Sequence, residues 1–316
     1  MNIPIDEIVD ISDEYNEIEM QKDRYEEWLM IKDKMFVPSK KNIIYKTIPA
    51  GVYNVEYDHT SREHVLIKKE LSLDELLYLP DPIFDQIIND IKYFWENEDK
   101  FKKYNYTYKR GILLYGKPGC GKSSISLLLS QLVISNGGIV FYINDFDSLY
   151  NFQRVLPKIR DIQKNTPILC VFEDLDSLIL NREAETELLN LLDGVNQTNN
   201  IVYIGNTNYP ENLKERIINR PSRFDRRYEI GFPNAEIRRF YLESKINDED
   251  KESIDINYLV KNTEDFSLAH LGELVKSVFI FNKNIDDSLE ELKSMNKFIS
   301  STQLDKKSGI GFGGSK

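Results

Sequence analysis

Cysteine is nearly absent. Cys120 and Cys170 are the only two in 316 residues, which excludes a disulfide framework and fits a reducing compartment. With three histidines, His59, His64 and His270, a His-rich metal centre or a Ser/His/Asp hydrolase constellation has nothing to build on. No run of about 18 apolar residues occurs, so no membrane-spanning helix is expected. Positive charge is in deficit: 41 Lys and Arg face 52 Asp and Glu, a formal net charge of −11. That disfavours nonspecific attraction to nucleic acid or anionic lipid, although a local basic patch could still exist. The opening MNIPIDEIVDISDEYNEIE is acidic where a secretory signal or transit peptide would be basic. The expectation is a soluble cytoplasmic protein.

The length suggests about two domains, and no internal repeat is present. Residues 1–40 are charged, with Trp28, Leu29, Ile31 and Phe36 as their apolar knot, and read as a helix or a mobile arm. From Asn42 to Leu71 β-branched and aromatic residues punctuated by turn residues predict a small β unit. Ser72 to Glu75 is a capping box. Asp81-Pro82 opens a longer helix whose apolar face is Phe84, Ile87, Ile88, Ile91, Phe94 and Trp95. Short apolar runs at 111–115, 138–143, 168–172, 200–205 and 227–232 then alternate with helix-period segments, which predicts a parallel sheet covered on both faces. Beyond Pro233 only helical patterns follow, before a Gly-rich tail. The expected division is an N-terminal arm and β unit (1–70), a nucleotide-binding α/β domain (71–232), a helical lid (233–300) and a flexible tail (301–316).

Directly after the 111–115 run comes Gly116-Lys117-Pro118-Gly119-Cys120-Gly121-Lys122-Ser123-Ser124, and then the apolar stretch ISLLLSQLVIS. This is the P-loop pattern in its strand, loop, helix context. Glycines let backbone N–H groups close around phosphate, Lys122 reaches the β and γ oxygens, and the Ser123 hydroxyl ligates Mg²⁺. ATP and Mg²⁺ are therefore the expected ligands. The helix N-terminus could depress the Cys120 thiol pKa, or Cys120 is simply a small residue that fits.

The run ILCVF ends in Glu173-Asp174, with Asp176 two places on. A P-loop ATPase needs one acid on the metal side and one that orients or deprotonates the attacking water. The common order is Asp then Glu, and here it is inverted. Position along the strand assigns Glu173 to the metal and Asp174 to the water, with Asp176 a helix cap or subunit contact. The next run ends in Asn206-Thr207-Asn208-Tyr209-Pro210, where an amide could hold the attacking water. Farther on, Arg220 and Arg223 could serve phosphoryl charge in cis or in a neighbour, or simply pair with the many acids.

Together GKPGCGKSS, VFEDLDSL, LLNLLDGV, IVYIGNTNYP and RPSRFDRR resemble the AAA family of the AAA+ ATPases over about residues 75–300. The resemblance implies a P-loop AAA+ module, a five-stranded parallel sheet between helices, with a small C-terminal helical lid and a small N-terminal α+β region. It implies Asn208 as the sensor 1 residue and Arg220 and Arg223 as trans-acting arginine fingers. A ring homo-oligomer, hexameric or heptameric, would couple ATP hydrolysis to remodelling or translocating a protein client. The inverted acid pair resembles the subfamily of the mitochondrial chaperone that translocates the Rieske protein, although that protein's membrane helix and targeting region have no counterpart here. The usual aromatic pore loop is also missing, and Tyr150 and Phe152 are either its candidate replacements or core-packing residues. No arginine marks a sensor 2, and His270 reads as a lid residue. Two other functions stay open: a loader or remodeller of nucleic acid or replication complexes, which the net charge opposes, and a nucleotide-gated assembly scaffold.

Overall fold

Strand-forming runs too short to bury themselves must find partners elsewhere in the chain, and in this computed structural model they do so in two compact units, 1–48 and 49–316. The structure describes residues 27–32, 35–39, 47–59, 62–70, 77–193, 198–218, 220 and 222–304, with described side chains lying within 47–295.

In the first unit β1 (Glu27–Lys32) and β2 (Met35–Ser39) form an antiparallel ladder, Glu27 opposite Ser39 and Leu29 opposite Val37. Over these residues the ladder corrects the helix or mobile arm expected for 1–40, the remainder of which lies outside the described residues. Three of the four residues of the apolar knot, Trp28, Ile31 and Phe36, are types that favour a pleated surface over a helix.

In the second unit β3 (Gly51–Asp58) and β4 (Glu63–Lys69) make an antiparallel hairpin. The hairpin is not a separate β unit, because β3 also pairs in parallel with β6 (Ile139–Ile143), Tyr53 opposite Phe141. Val52, Tyr53 and Val55 are all buried, as a strand covered on both faces requires. The five expected strands all form, and all are parallel: β5 (Lys109–Tyr115), β6, β7 (Ile168–Phe172), β8 (Ile201–Thr207) and β9 (Arg226–Glu229). With the hairpin they make a seven-stranded sheet in the order β4-β3-β6-β7-β8-β5-β9.

Helix α1 (Pro82–Glu96) starts as its sequence dictates, Asp81 accepting the Ile83 amide at 2.9 Å. It buries Phe84, Ile87, Ile91 and Phe94, each contributing roughly 1.5–3 kcal/mol through removal from water. They share a core with Ile125, Leu129 and Val133 of α2 (Lys122–Ser135) and with Ile112, Val171 and Ile204 of the sheet. The alternate residues of the strands face α3 (Phe146–Ile162), where Phe152 packs on Phe141 at 4.9 Å between ring centroids. Phe152 is thus fully buried and cannot serve in a pore, whereas Tyr150 is 38% exposed beneath the Arg154 guanidinium.

After β7 come the single turn α4 (Leu175–Leu178) and α5 (Arg182–Asp193). Past β9 only helices follow: α6 (Ala235–Lys245), α7 (Ile256–Asn262), α8 (Leu268–Val275) and α9 (Ile285–Leu304), joined through Leu242, Leu259, Leu271, Leu274, Leu289 and Leu292. Helix α9 runs into the first residues of the expected tail. The rest of the tail and the Ser72–Glu75 capping box lie outside the described residues.

Candidate functional site

Parallel strands bring their C-terminal ends to one edge of the sheet, and loops there converge. β5 leads into the glycine loop, β7 into the acid pair and β8 into the polar run from Asn206. The register places Leu114 opposite Asn206 and Phe172 opposite Gly205, so the three ends lie side by side.

The glycine loop depends on missing side chains. Gly116 has φ +141°, and a Cβ there would stand 2.2 Å from the Ile230 carbonyl oxygen. Gly119 has φ +75°, and a Cβ would stand 2.8 Å from both Ala269 Cβ and Ser267 Oγ of the lid. The Lys122 ammonium is tucked into the loop, donating to the carbonyls of Gly116 at 2.8 Å and Lys117 at 2.9 Å. Burial pushes its pKa down, and the nearby acids Asp174, Glu173 and Asp176 oppose that shift. Cys120 is buried, and burial pushes its thiol pKa up. That overturns a thiol activated by the helix N-terminus and leaves Cys120 as a small residue that fits. We expect Gly119→Ala to cost about 1–2 kcal/mol from the left-handed backbone alone. Thermal melting should fall and titration with a fluorescent nucleotide should weaken, because the lid must move off the loop.

Of the nine loop residues, Pro118, Gly119, Gly121, Lys122, Ser123 and Ser124 line a cleft of about 510 Å³. Gly116, Lys117 and Cys120 do not; the Lys117 ammonium sits over the Phe232 ring at 4.5 Å. Glu173, Asp174, Asn206, Thr207 and Asn208 form the polar wall, and Leu77, Leu79, Leu127 and the lid residue Leu268 form the apolar one. The C-terminal helical region meets the loop directly, the Ala269 amide of α8 donating to the Gly119 carbonyl at 3.2 Å. His270, on α8, lies against Ser267, Nδ1 to Oγ 2.6 Å, and does not line the cleft.

Glu173 accepts two hydrogen bonds on one oxygen, Oε2: from the Ser123 hydroxyl at 3.2 Å and from the Asn206 amide at 3.0 Å. Burial raises its pKa, and those two donors pull it back. Asp174 is exposed to the cleft and sits at φ 45°, ψ 52°, a left-handed conformation that Asp tolerates better than most residues. Asp176 is not the cap of α4, a position that Asp174 holds. Asp176 is buried and accepts the Thr207 hydroxyl at 2.5 Å, because the turn of α4 swings the second residue after the pair back onto β8.

Asn206 is the residue that motif matching passes over. Its signal was available in the sequence: an amide inside a strand of buried residues must find partners, and β8 is buried along all of its length. Asn208 lines the cleft without contacting the acids in the same way.

The two arginines separate. Arg223 is 7% exposed and its Nε lies 2.6 Å from Asp193 Oδ2, whereas Arg220 is 63% exposed and only 3.4 Å from the same oxygen. Neither lines the cleft. Burial works against ionising Asp193, yet the Arg223 and Ser222 hydrogen bonds hold it below the ordinary carboxylate range. At the other end of α5, the buried Glu185 pairs with Lys214 and Arg216, so one helix grips the arginine segment at both ends.

The donor set suits a hard cation and a polyphosphate. Hydroxyl and carboxylate oxygens meet at Ser123 and Glu173, and Gly119 and Gly121, both at positive φ, leave the loop backbone open to the cleft. Among the described residues no cluster of three or more His, Cys, Asp or Glu could hold another metal.

Residues 112–232 match the family described as ATPase family associated with various cellular activities (AAA). The chain is 29% identical over 227 residues to the ATP-dependent zinc metalloprotease FtsH of Aster yellows witches'-broom phytoplasma (strain AYWB), covering 63% of this chain and 33% of that protein. It is 28% identical over 229 residues to the putative cell division cycle ATPase of Plasmodium falciparum (isolate 3D7), covering 67% and 18%. It is 30% identical over 210 residues to the human ATP-dependent zinc metalloprotease YME1L1, covering 60% and 26%. The chain therefore spans between 18% and 33% of the length of these relatives. Its three histidines include no H-E-x-x-H arrangement, the helix-borne zinc signature of metalloproteases.

Proposed function

Residues 112–232 are an AAA ATPase domain, and from that premise we propose that this protein binds ATP with Mg²⁺ beneath its lid, hydrolyses it, and works as a ring homo-oligomer that remodels or translocates a protein client. What carries the proposal is the division of labour between adjacent carboxylates. Glu173 is half-buried, raised in pKa and hydrogen-bonded beside Ser123, while Asp174 is exposed in the cleft. Environments that differ this much suit different tasks.

Lys122 gives up its loop carbonyls to pair with phosphate oxygens, and the loop amides take the remaining negative charge. Ser123 and Glu173 would hold Mg²⁺, which when bound supplies positive charge to the β and γ phosphoryl oxygens. Asp174 orients and deprotonates the attacking water, and Asn208 helps to hold that water. Arg220, exposed and loosely paired, is free to reach a neighbour's site; Arg223, gripped by Asp193, orients the segment that carries it.

The inverted acid pair supports kinship with the Rieske-translocase subfamily. No helix among the described residues is long and apolar enough to cross a membrane, which is compatible with work in the cytoplasm. The proteolysis named in the relatives is not carried over. A scaffold reading gains from one observation, the burial of Phe152, which leaves Tyr150 as the remaining candidate for a pore.

Steady-state ATPase per subunit, followed against protein concentration, tests the ring. The specific rate should rise steeply and saturate as neighbours complete one another's sites. A flat rate down to the monomer would rule out a trans arginine. Stimulation by an unfolded protein client separates remodeller from scaffold.

A further inference from the structure

Neighbouring residues of β8 point to opposite faces of the sheet, and here both are buried and polar: Asn206 is 3% exposed and Thr207 1%. Each meets one half of the acid turn. The Asn206 amide nitrogen donates to Glu173 Oε2 at 3.0 Å and to Ser126 Oγ at 2.9 Å. The Thr207 hydroxyl donates to Asp176 Oδ1 at 2.5 Å and accepts the Tyr209 amide at 3.0 Å. Both protons of the amide and both functions of the hydroxyl are engaged. Neither side chain can turn without leaving a buried polar group unpaired.

The inverted order makes such bracing necessary. A glutamate in the metal-side position has one more rotatable bond than an aspartate, so its carboxylate wanders unless something holds it. Ser123 donates to the same oxygen, but its hydroxyl is the group expected to ligate the metal, which leaves Asn206 as the donor whose task does not change. The aspartate in the water-side position is short and sits in a left-handed backbone conformation that the surroundings must enforce. The following turn does so, with the Ser177 and Leu178 amides donating to the Asp174 carbonyl at 2.8 and 3.1 Å. Asp176, the second residue of that turn, is tied down by Thr207.

We infer that Asn206 and Thr207 are positioning residues for the acid pair: Asn206 fixes the carboxylate of Glu173, and Thr207, through Asp176, fixes the turn that presents Asp174. The inference rests on the ATPase reading of the pair.

The experiment compares Asn206→Ala, Thr207→Val and Thr207→Ser with the full-length wild type. Thermal melts, fluorescent ATP-analogue binding with Mg²⁺ and with EDTA, and Mg²⁺ dependence of turnover are measured for each. Asn206→Ala should raise the Mg²⁺ concentration needed for half-maximal turnover about 10- to 100-fold, the usual effect of losing an outer-shell partner. It should weaken analogue binding in Mg²⁺ while leaving binding in EDTA unchanged. Thr207→Val should lower kcat about tenfold or more, the loss expected of a displaced catalytic group, with Mg²⁺ dependence and nucleotide affinity unchanged, and Thr207→Ser should restore it. An unshifted Mg²⁺ requirement in folded Asn206→Ala overturns the first half. Equal losses of kcat and nucleotide affinity in Thr207→Val overturn the second, as does loss of the fold in both Thr207→Val and the smaller Thr207→Ala. A wild type that hydrolyses no ATP would defeat the ATPase reading itself, a separate result.

Discussion

Asp174→Asn should keep ATP and lose its hydrolysis, with turnover falling about 100- to 10,000-fold, the range expected when a general base is removed. The substitution preserves size and shape. Asn accepts a left-handed backbone as readily as Asp, so the φ of 45° and the turn that follows survive. The carbonyl of residue 174 still receives the Ser177 and Leu178 amides, and Lys122 still closes the loop. What disappears is the negative charge and the ability to take a proton from water. Single-turnover hydrolysis measured beside nucleotide affinity checks the expectation. Retained turnover would show that the water is activated elsewhere and that the adjacent acids do not divide their work as proposed.

Arg220→Ala and Arg223→Ala should fail for different reasons. Removing Arg220, 63% exposed, should leave thermal stability near wild type and lower turnover about 1,000- to 100,000-fold if it acts as an arginine finger. Mixing Arg220→Ala subunits with Lys122→Ala subunits should recover activity, because an intact site can then borrow an intact arginine from its neighbour. Lack of recovery would place the residue outside the neighbour's chemistry. Removing Arg223 should unfold rather than disarm. Its guanidinium and the Asp193 carboxylate are 7% and 11% exposed, and breaking such a pair costs about 3–5 kcal/mol. Because Asp193 is held below its ordinary pKa, this contribution is present above the unfolded aspartate pKa of about 3.9 and fades as pH falls through the folded value. The stability gap between wild type and Arg223→Ala should therefore narrow in acid, as denaturant melts at several pH values would reveal.

Local chemistry was legible in the sequence wherever it was self-contained. The glycine loop, the five parallel strands and the start of α1 at Asp81-Pro82 need only neighbours in sequence to be recognised. What escaped depended on distant partners. That β3 joins the main sheet is decided by β6, far along the chain, and no local pattern states that pairing. Tyr150 and Phe152 are both aromatic, but their facing on α3 decides that the second packs on Phe141. Asn208 fits a family motif, whereas the amide that touches Glu173 is Asn206, two residues earlier and still inside β8. Arg220 and Arg223 look equivalent until Asp193, on another helix, captures one of them. The thiol of Cys120 follows its burial rather than the helix end beside it.

The hairpin that widens the sheet also determines how its margins behave. β4 and β9 are the outermost strands, and each presents charge to water: Glu63, Lys68 and Lys69 on one, Arg226, Arg227 and Glu229 on the other. Charged margins, one of them only four residues long, resist the docking of a further strand. Copies brought together at high local concentration can therefore associate through helices and loops without their sheets fusing, and such crowding need not end in fibrillar aggregation.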